Sequence, residues 1–361
     1  MASDEFRAFQ AQMAAAMAAA PPPTALAERR QRMEEAMSQL PLAEGVRASS
    51  LNAGGVTIVS CIPEGGADQP SLLYFHGGGY RLGSAATYRS YGSHLARACS
   101  ARVLLVDYRL APEHPFPAAI DDAVLAYRWL IDQGGRSGQL PASEEIRASE
   151  EITASEEIVV GGDSAGGGLA AALVLRAKEE GLPLPSGVLC LSPWADLTNG
   201  AGSYVRCAPT DALFSKMSAD EAAGLYLAGA DPAQPYVSPI RGDWSGLPPL
   251  LIQASDCEVL TDDAVALAES ARTAGVDVEL HLYPEMPHVW QLNYPRFPEA
   301  VEAVDQISAF VARVTSRRSD KDSVSDRDSL SDRDSVSDRD SAVRSPRFAT
   351  EPAVDIPGGP S

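Results

Sequence analysis

Ser164 stands at the centre of Gly162-Asp163-Ser164-Ala165-Gly166. A serine hydroxyl becomes a useful nucleophile only when a base takes its proton and nearby donors hold the negative charge that develops. The setting suits that chemistry. Glu157-Ile158-Val159-Val160 reads as a short buried strand, and Leu169 to Arg176 has the composition of a helix packed on a sheet. Ser164 therefore falls on the turn between them, where small residues two before and two after let strand and helix approach closely. Gly162 and Gly166 supply those residues, and the amide of Ala165 falls at a helix N-terminus. The pentapeptide alone is a common pattern, and the same stretch holds a loose dinucleotide-type match at Gly166, Gly168 and Ala171. The other parts of the chain decide between the two.

One such part lies upstream, where His76-Gly77-Gly78-Gly79 follows the apolar run Ser71 to Phe75. Successive glycines can point consecutive amides into one concavity, as a phosphate nest or an oxyanion hole requires. No Gly-Lys-Ser/Thr follows, which weakens the phosphate reading. Paired with Ser164, the loop supplies amides of Gly78 and Gly79 to join that of Ala165. His76, Gly77 and Asp163 read as support for the two motifs, His76 shaping the loop rather than moving protons.

A base and an orienting carboxylate must follow, in the order serine, acid, histidine. Two histidines lie downstream. His281 sits inside an alternating strand pattern as a face residue, whereas His288 is in the loop beyond it, flanked by Pro287 and Val289, and is assigned the base. For the acid, Asp196 and Asp256 both follow buried-strand signals. Asp256 is favoured because its strand immediately precedes the one leading to His288, while Asp196 opens an insertion and could brace a loop. Glu258, Asp262 and Asp263 read as solvent-facing or helix N-terminal charges.

The elements that would position these residues alternate. Strands are expected at Val56 to Ser60, Ser71 to Phe75, Arg102 to Val106, Gly187 to Leu191, Leu250 to Ser255 and Val278 to Tyr283. Helices are expected at about 87–100, 118–132, 262–274 and 298–314. The pattern predicts an α/β fold, a mostly parallel sheet with helices on both faces and its site at the strands' carboxyl ends. Residues 1–50 read as N-terminal cap helices, split by Pro21-Pro22-Pro23, with Leu26, Met33, Met37 and Leu40 on one stripe. The catalytic domain would span 51–315. A cap insertion at about 196–240 carries Tyr204, Phe214, Tyr226 and Tyr236, as packing residues or as the wall of an acyl or alcohol pocket.

Two tandem repeats stand apart. Ser-Glu-Glu-Ile-X-Ala recurs across 143–158, with six Glu against one Arg, and Ser-Asp-Arg/Lys-Asp-Ser-X recurs across 319–342, with eight Asp against four basic residues. Six is neither a helical nor a strand period, so the first reads as an expanded surface connection and 316–361 as a disordered tail. They carry much of a formal net charge of −20 over 361 residues, a balance that argues against nucleic acid or an anionic membrane as partner. No apolar run is long enough to span a bilayer. Five cysteines without metal or C-x-x-C spacing suggest free thiols and a cytoplasmic setting.

With these pieces named, the chain resembles the hormonesensitive-lipase-like branch of the α/β-hydrolase fold, which includes many bacterial carboxylesterases. The likeness runs from about Leu72 to Ala312. It rests on His76-Gly77-Gly78-Gly79, Asp107-Tyr108-Arg109-Leu110-Ala111-Pro112-Glu113, Gly162 to Gly167, Ser192-Pro193-Trp194 and the His288 loop. It implies a serine esterase for short- to medium-chain acyl esters, with no cofactor and no metal, under a cap built from the N-terminal helices and the insertion. The partner implied is a small-molecule ester, with no membrane insertion and a homodimer allowed. A subgroup often labelled monoterpene lactone hydrolases keeps a lactone in view, and amide deacetylation would use the same machinery. The rival of another class is a small-molecule receptor, since plant gibberellin receptors resemble this family but lack the histidine. In the family the acid commonly lies in an Asp-Pro-Leu setting, whereas Asp256 is followed by Cys257-Glu258-Val259-Leu260.

Overall fold

Eight strands form one sheet in the order β1-β2-β4-β3-β5-β6-β7-β8. They are β1 Val46–Ala53, β2 Val56–Pro63, β3 Ser71–Phe75, β4 Arg102–Asp107, β5 Ile158–Asp163, β6 Gly187–Leu191, β7 Leu250–Ser255 and β8 Val278–Tyr283. β1 and β2 pair antiparallel, β2 runs antiparallel to β4, and all remaining pairs are parallel. This is the mostly parallel α/β sheet, with helices on both faces, that the alternation implied. The computed structural model describes residues 2–19, 24–65, 69–132 and 157–331, with side chains through 316. The hexad expansion up to residue 156 and the repeats beyond 331 lie outside the described residues.

The middle strands are continuous apolar runs because both of their faces are covered. β3, β5, β6 and β7 are buried at every position. Strand alternation sends Leu73, Phe75, Val160 and Ile252 into one core and Leu72, Tyr74, Val159 and Leu251 into the other. Helices α4 (Ala118–Asp132), α5 (Ala165–Glu179) and α8 (Thr261–Thr273) fill the first side; α3 (Arg89–Cys99) and the start of α9 (Pro298–Ser331) fill the second.

β1 has no counterpart in the expected strands. Val46-Arg47-Ala48-Ser49-Ser50-Leu51-Asn52-Ala53 is too polar to announce itself, and the hairpin with β2 creates it: Gly54 and Gly55 take positive φ and Asn52 Oδ1 accepts from Gly55 N at 2.8 Å. At the other end the helix expected to stop near Val314 continues to Ser331, in a stretch without glycine or proline before Pro346.

The N-terminal helices are α1 Asp4–Ala19 and α2 Leu26–Met37. α1 docks through Phe6 and Phe9 on Phe297, in a small core shared with Met286 and Trp290. α2 buries no residue fully; its apolar stripe is half-buried, with Met33 packed against the second core. Arg30 adds polar anchors, donating to the carbonyls of Arg81 (2.8 Å) and Ala111 (2.7 Å) and to both oxygens of Glu113. The insertion after β6 carries two helices, α6 Ser203–Arg206 and α7 Lys216–Leu227.

The turn from β5 into α5 is the tightest backbone approach in the sheet. A Cβ on Gly166 would lie 2.0 Å from Phe75 O, and one on Gly162 would lie 2.4 Å from the Gly166 backbone. Gly166→Ala should therefore destabilise the fold by about 2 kcal/mol or more, with β3 and α5 forced apart. Thermal melting reads this, and an unchanged midpoint would mean the approach is soft.

Candidate active site

The β5 to α5 turn holds Ser164 at φ 53° and ψ −121°, a conformation costly for a residue with a side chain. Three backbone bonds enforce it. Ser164 N donates to Leu191 O at 2.8 Å, and Ser164 O accepts from Trp194 N at 2.9 Å and Gly168 N at 3.1 Å. The end of β6 and the loop after it thus fix Ser164 on the side away from β3.

Opposite the hydroxyl stands His288, in the loop between β8 and α9. Ser164 Oγ–H donates to His288 Nε2 at 3.0 Å. His281, by contrast, stays on β8 beside Glu279. The other imidazole nitrogen, Nδ1–H, donates to Glu258 Oε2 at 2.5 Å. Glu258, and not Asp256, is the carboxylate at the base. Asp256 is exposed, and its Oδ1 is occupied by Glu285 N at 3.1 Å.

The physical reason for this correction lies in the turn after β7. Ser255 N donates to Glu258 Oε1 at 2.7 Å, closing the chain back on itself and swinging the longer glutamate side chain inward, while Asp256 leaves the sheet toward solvent. Glu258 is fully satisfied there, since Ser192 Oγ donates to Oε1 at 2.9 Å. Ser192 also accepts from Val289 N at 3.3 Å, so one hydroxyl joins the acid to the loop of the base. Neither Glu258 nor Ser192 was assigned a role from the sequence. The signal for the first was present, because Glu258-Val259-Leu260 places an acid two residues before a leucine, as Asp-Pro-Leu does. Asp196 braces the start of the insertion after β6: Ala195 N and Asp196 N both donate to buried Asp263 Oδ2 at 3.0 Å, and Asp196 pairs with Arg241. Asp263 is therefore an interior acceptor, its pKa pushed by burial to about 8.

Burial alone would lower the His288 pKa. The Glu258 hydrogen bond and charge, with the more distant carboxylates of Asp211 and Asp163, more than offset it, so the pKa is raised. The site favours the protonated imidazole.

The glycine loop is locked to the elbow by a buried carboxylate. Asp163 Oδ1 accepts from Tyr74 OH (3.0 Å) and Gly77 N (3.1 Å), and Oδ2 from Tyr88 OH (2.8 Å). Burial raises the Asp163 pKa to about 6 against the pull of these donors. A Cβ on Gly77 would sit 2.2 Å from Asp163 Oδ2, which is why that position is glycine. Gly78 at φ 117° and Gly79 at φ 62° continue the loop in conformations that side chains resist. His76 shapes it from below: Nδ1 lies 2.8 Å from Gly77 O, its ring stacks on Tyr108 at 4.3 Å, and Tyr108 OH donates to His76 O at 2.7 Å. Ala165 opens α5 beside the nucleophile. Among the described residues no cluster of histidine, cysteine and carboxylate could hold a metal ion, and no helix is long and apolar enough to cross a membrane.

A fold with a serine elbow, a glycine loop and a histidine after the last strand defines a class, and comparison with known proteins bears it out. The family model Abhydrolase_3, described as an alpha/beta hydrolase fold, matches residues 72–292, and the chain belongs to that family. An acetyl-hydrolase of Streptomyces hygroscopicus is 42% identical over 248 residues, 69% of this chain and 77% of that protein. An esterase of Acinetobacter venetianus is 36% identical over 240 residues, 66% and 73% of the two chains. Among solved structures, an esterase from the bacterial hormone-sensitive lipase family superposes with TM-score 0.75 at 39% identity, covering 82% of this chain and 94% of that one. EstE5 soaked with p-nitrophenyl butyrate gives TM-score 0.77 at 35% identity, covering 87% and 99%.

Glu258→Gln should lower kcat by about 10³-fold or more, because an amide can present N–H to Nδ1 and select the wrong imidazole tautomer. Asp256→Asn should stay within about threefold of wild type, as it removes only a surface contact. Steady-state kinetics on both variants decides; the reverse ranking would restore Asp256 as the acid. The imidazole must be neutral to accept a proton, and the neutral fraction is lost as pH falls through its folded-state pKa. With that pKa raised, the acid limb of kcat/KM should lie above about 6.5. A limb below that value would contradict the charge arrangement around His288.

Proposed function

We propose that this chain is a serine carboxylesterase hydrolysing short- to medium-chain acyl esters, with Ser164 as nucleophile, His288 as base and Glu258 as its orienting acid. The observation that carries the reading is the unbroken line of hydrogen bonds from Glu258 through His288 to Ser164. It is supported by membership of a family in which relatives at 36 to 42% identity are named esterase and acetyl-hydrolase.

Ser164 Oγ attacks the ester carbonyl while its proton passes to His288 Nε2. The carbonyl π electrons become an oxyanion, for which the amides of Gly78, Gly79 and Ala165 are the proposed donors. Collapse of the tetrahedral intermediate breaks the bond to the alkoxy oxygen, which leaves as alcohol with the proton from Nε2. The acyl group is now on Ser164. Water repeats the sequence, giving its proton to Nε2 and its oxygen to the carbonyl carbon, and the carboxylic acid departs as Ser164 recovers its proton. Glu258 stays ionised and holds the imidazolium throughout. A receptor without chemistry would have no use for this line, and the presence of His288 at the serine argues against it.

The relative named acetyl-hydrolase supports the short end of that acyl range; amide deacetylation would use the same residues and is separated by the leaving group. The five cysteines are all free and four are buried, which supports placing the enzyme in the cytoplasm.

p-Nitrophenyl acetate, butyrate, hexanoate, octanoate and dodecanoate should be hydrolysed with a maximum at the short end, and Ser164→Ala should lower kcat by roughly 10⁴-fold or more. Activity surviving in that variant would exclude the mechanism. Acetanilide turned over as fast as phenyl acetate would move the assignment to deacetylase.

A further inference from the structure

One aromatic side chain of the cap lies directly on the base. The Phe214 ring stacks on the His288 imidazole, with centroids 5.6 Å apart and planes 16° from parallel, and meets Trp194 edge-on at 6.0 Å. Phe214 is half-buried, packed in part against the core and left accessible in part.

The cap segment before it is built to hold that position. Asp211 Oδ1 accepts from Leu213 N (3.0 Å) and Phe214 N (2.9 Å), fixing the turn, while Oδ2 accepts from Val259 N at 2.9 Å, the residue after Glu258. Thr210 Oγ1 donates to Cys257 O at 2.7 Å. The turn that carries Phe214 is thus clasped to the turn that carries the acid, and Phe214, Glu258 and His288 are placed together.

Chemistry then says which part of a substrate the ring meets. His288 Nε2 must reach the alkoxy oxygen to protonate it as it leaves, so the alcohol portion of the ester lies beside the imidazole. The acyl portion points away, with its carbonyl on the glycine loop. A phenyl ring on the imidazole face therefore borders the alcohol side.

We infer that Phe214, held by Asp211, is the specificity-determining wall of the alcohol subsite and selects esters with an apolar, bulky alcohol portion. This rests on the esterase reading above. The test varies one side of the ester at a time: methyl acetate against benzyl acetate for the alcohol, methyl acetate against methyl butyrate for the acyl group, in wild type, Phe214→Leu and Phe214→Ala. The benzyl-to-methyl ratio of kcat/KM should fall about tenfold in Phe214→Ala and less in Phe214→Leu. The butyrate-to-acetate ratio should stay within about twofold. An alcohol ratio that does not move, or an acyl ratio that moves as much, overturns the inference. Should Phe214→Ala fail to fold, Phe214→Leu carries the same comparison. Wild type inactive on all these esters, or Ser164→Ala as active as wild type, would sink the esterase reading itself. Ser164-dependent hydrolysis with an unmoved alcohol ratio would sink the Phe214 assignment alone.

Discussion

A carboxylate withdrawn from water must have its oxygens occupied or give up its charge. Glu258 meets that condition with three donors: His288 Nδ1–H on one oxygen, Ser255 N and Ser192 Oγ on the other. Each donor comes from a different place, the loop after β8, the end of β7 and the end of β6. The three strand ends are thereby tied at one point, and the charge held there raises the imidazole pKa, the basicity that the proposed mechanism uses on Ser164. If any donor moved, the carboxylate would be left partly unpaired in a dry site.

A second buried carboxylate does the same on the other side of the nucleophile. Asp163 links β5 to the glycine loop through Gly77 N and to the core through Tyr74 and Tyr88. Burial and the Asp163 charge push both phenols well above their ordinary pKa, so they remain donors. The motif Asp107 to Glu113 then acts as a frame beneath that loop. Asp107 accepts from Ala85 N, Tyr108 supports His76, Arg109 forks onto Asp122, and Glu113 receives Arg30 from α2. Ser164 and the glycine loop are held around Asp163 by buried hydrogen bonds from Tyr74, Tyr88 and Gly77, the circumstance in which such contacts give definite geometry.

Much of this was legible in the sequence because it depends on local patterns. The strand, glycine and serine of the elbow appear in order, and the alternation of apolar runs with helical stretches implies the parallel sheet. The pairing of Ser164 with His288 followed from chain order and from His281 lying within a strand. The acid was not legible in the same way. Asp256 follows β7 directly, whereas Glu258 reaches the imidazole only through a turn whose direction is set by its own bond to Ser255 N, and no periodicity encodes that. Comparing Glu258-Val259-Leu260 with the Asp-Pro-Leu pattern would have found it. β1 was missed because a polar edge strand is created by its hairpin, and the stripe on α2 gave no hint of the polar anchor that Arg30 adds beside it.

The most direct test of the account is covalent labelling of the nucleophile. Incubation with a sulfonyl fluoride followed by peptide mass mapping should place a single adduct on Ser164 in wild type and in Asp256→Asn, and slow its formation sharply in Glu258→Gln and His288→Ala. An adduct on another serine, or labelling of Ser164 that is as fast without Glu258 as with it, would contradict the claim that this buried glutamate and its histidine activate the serine.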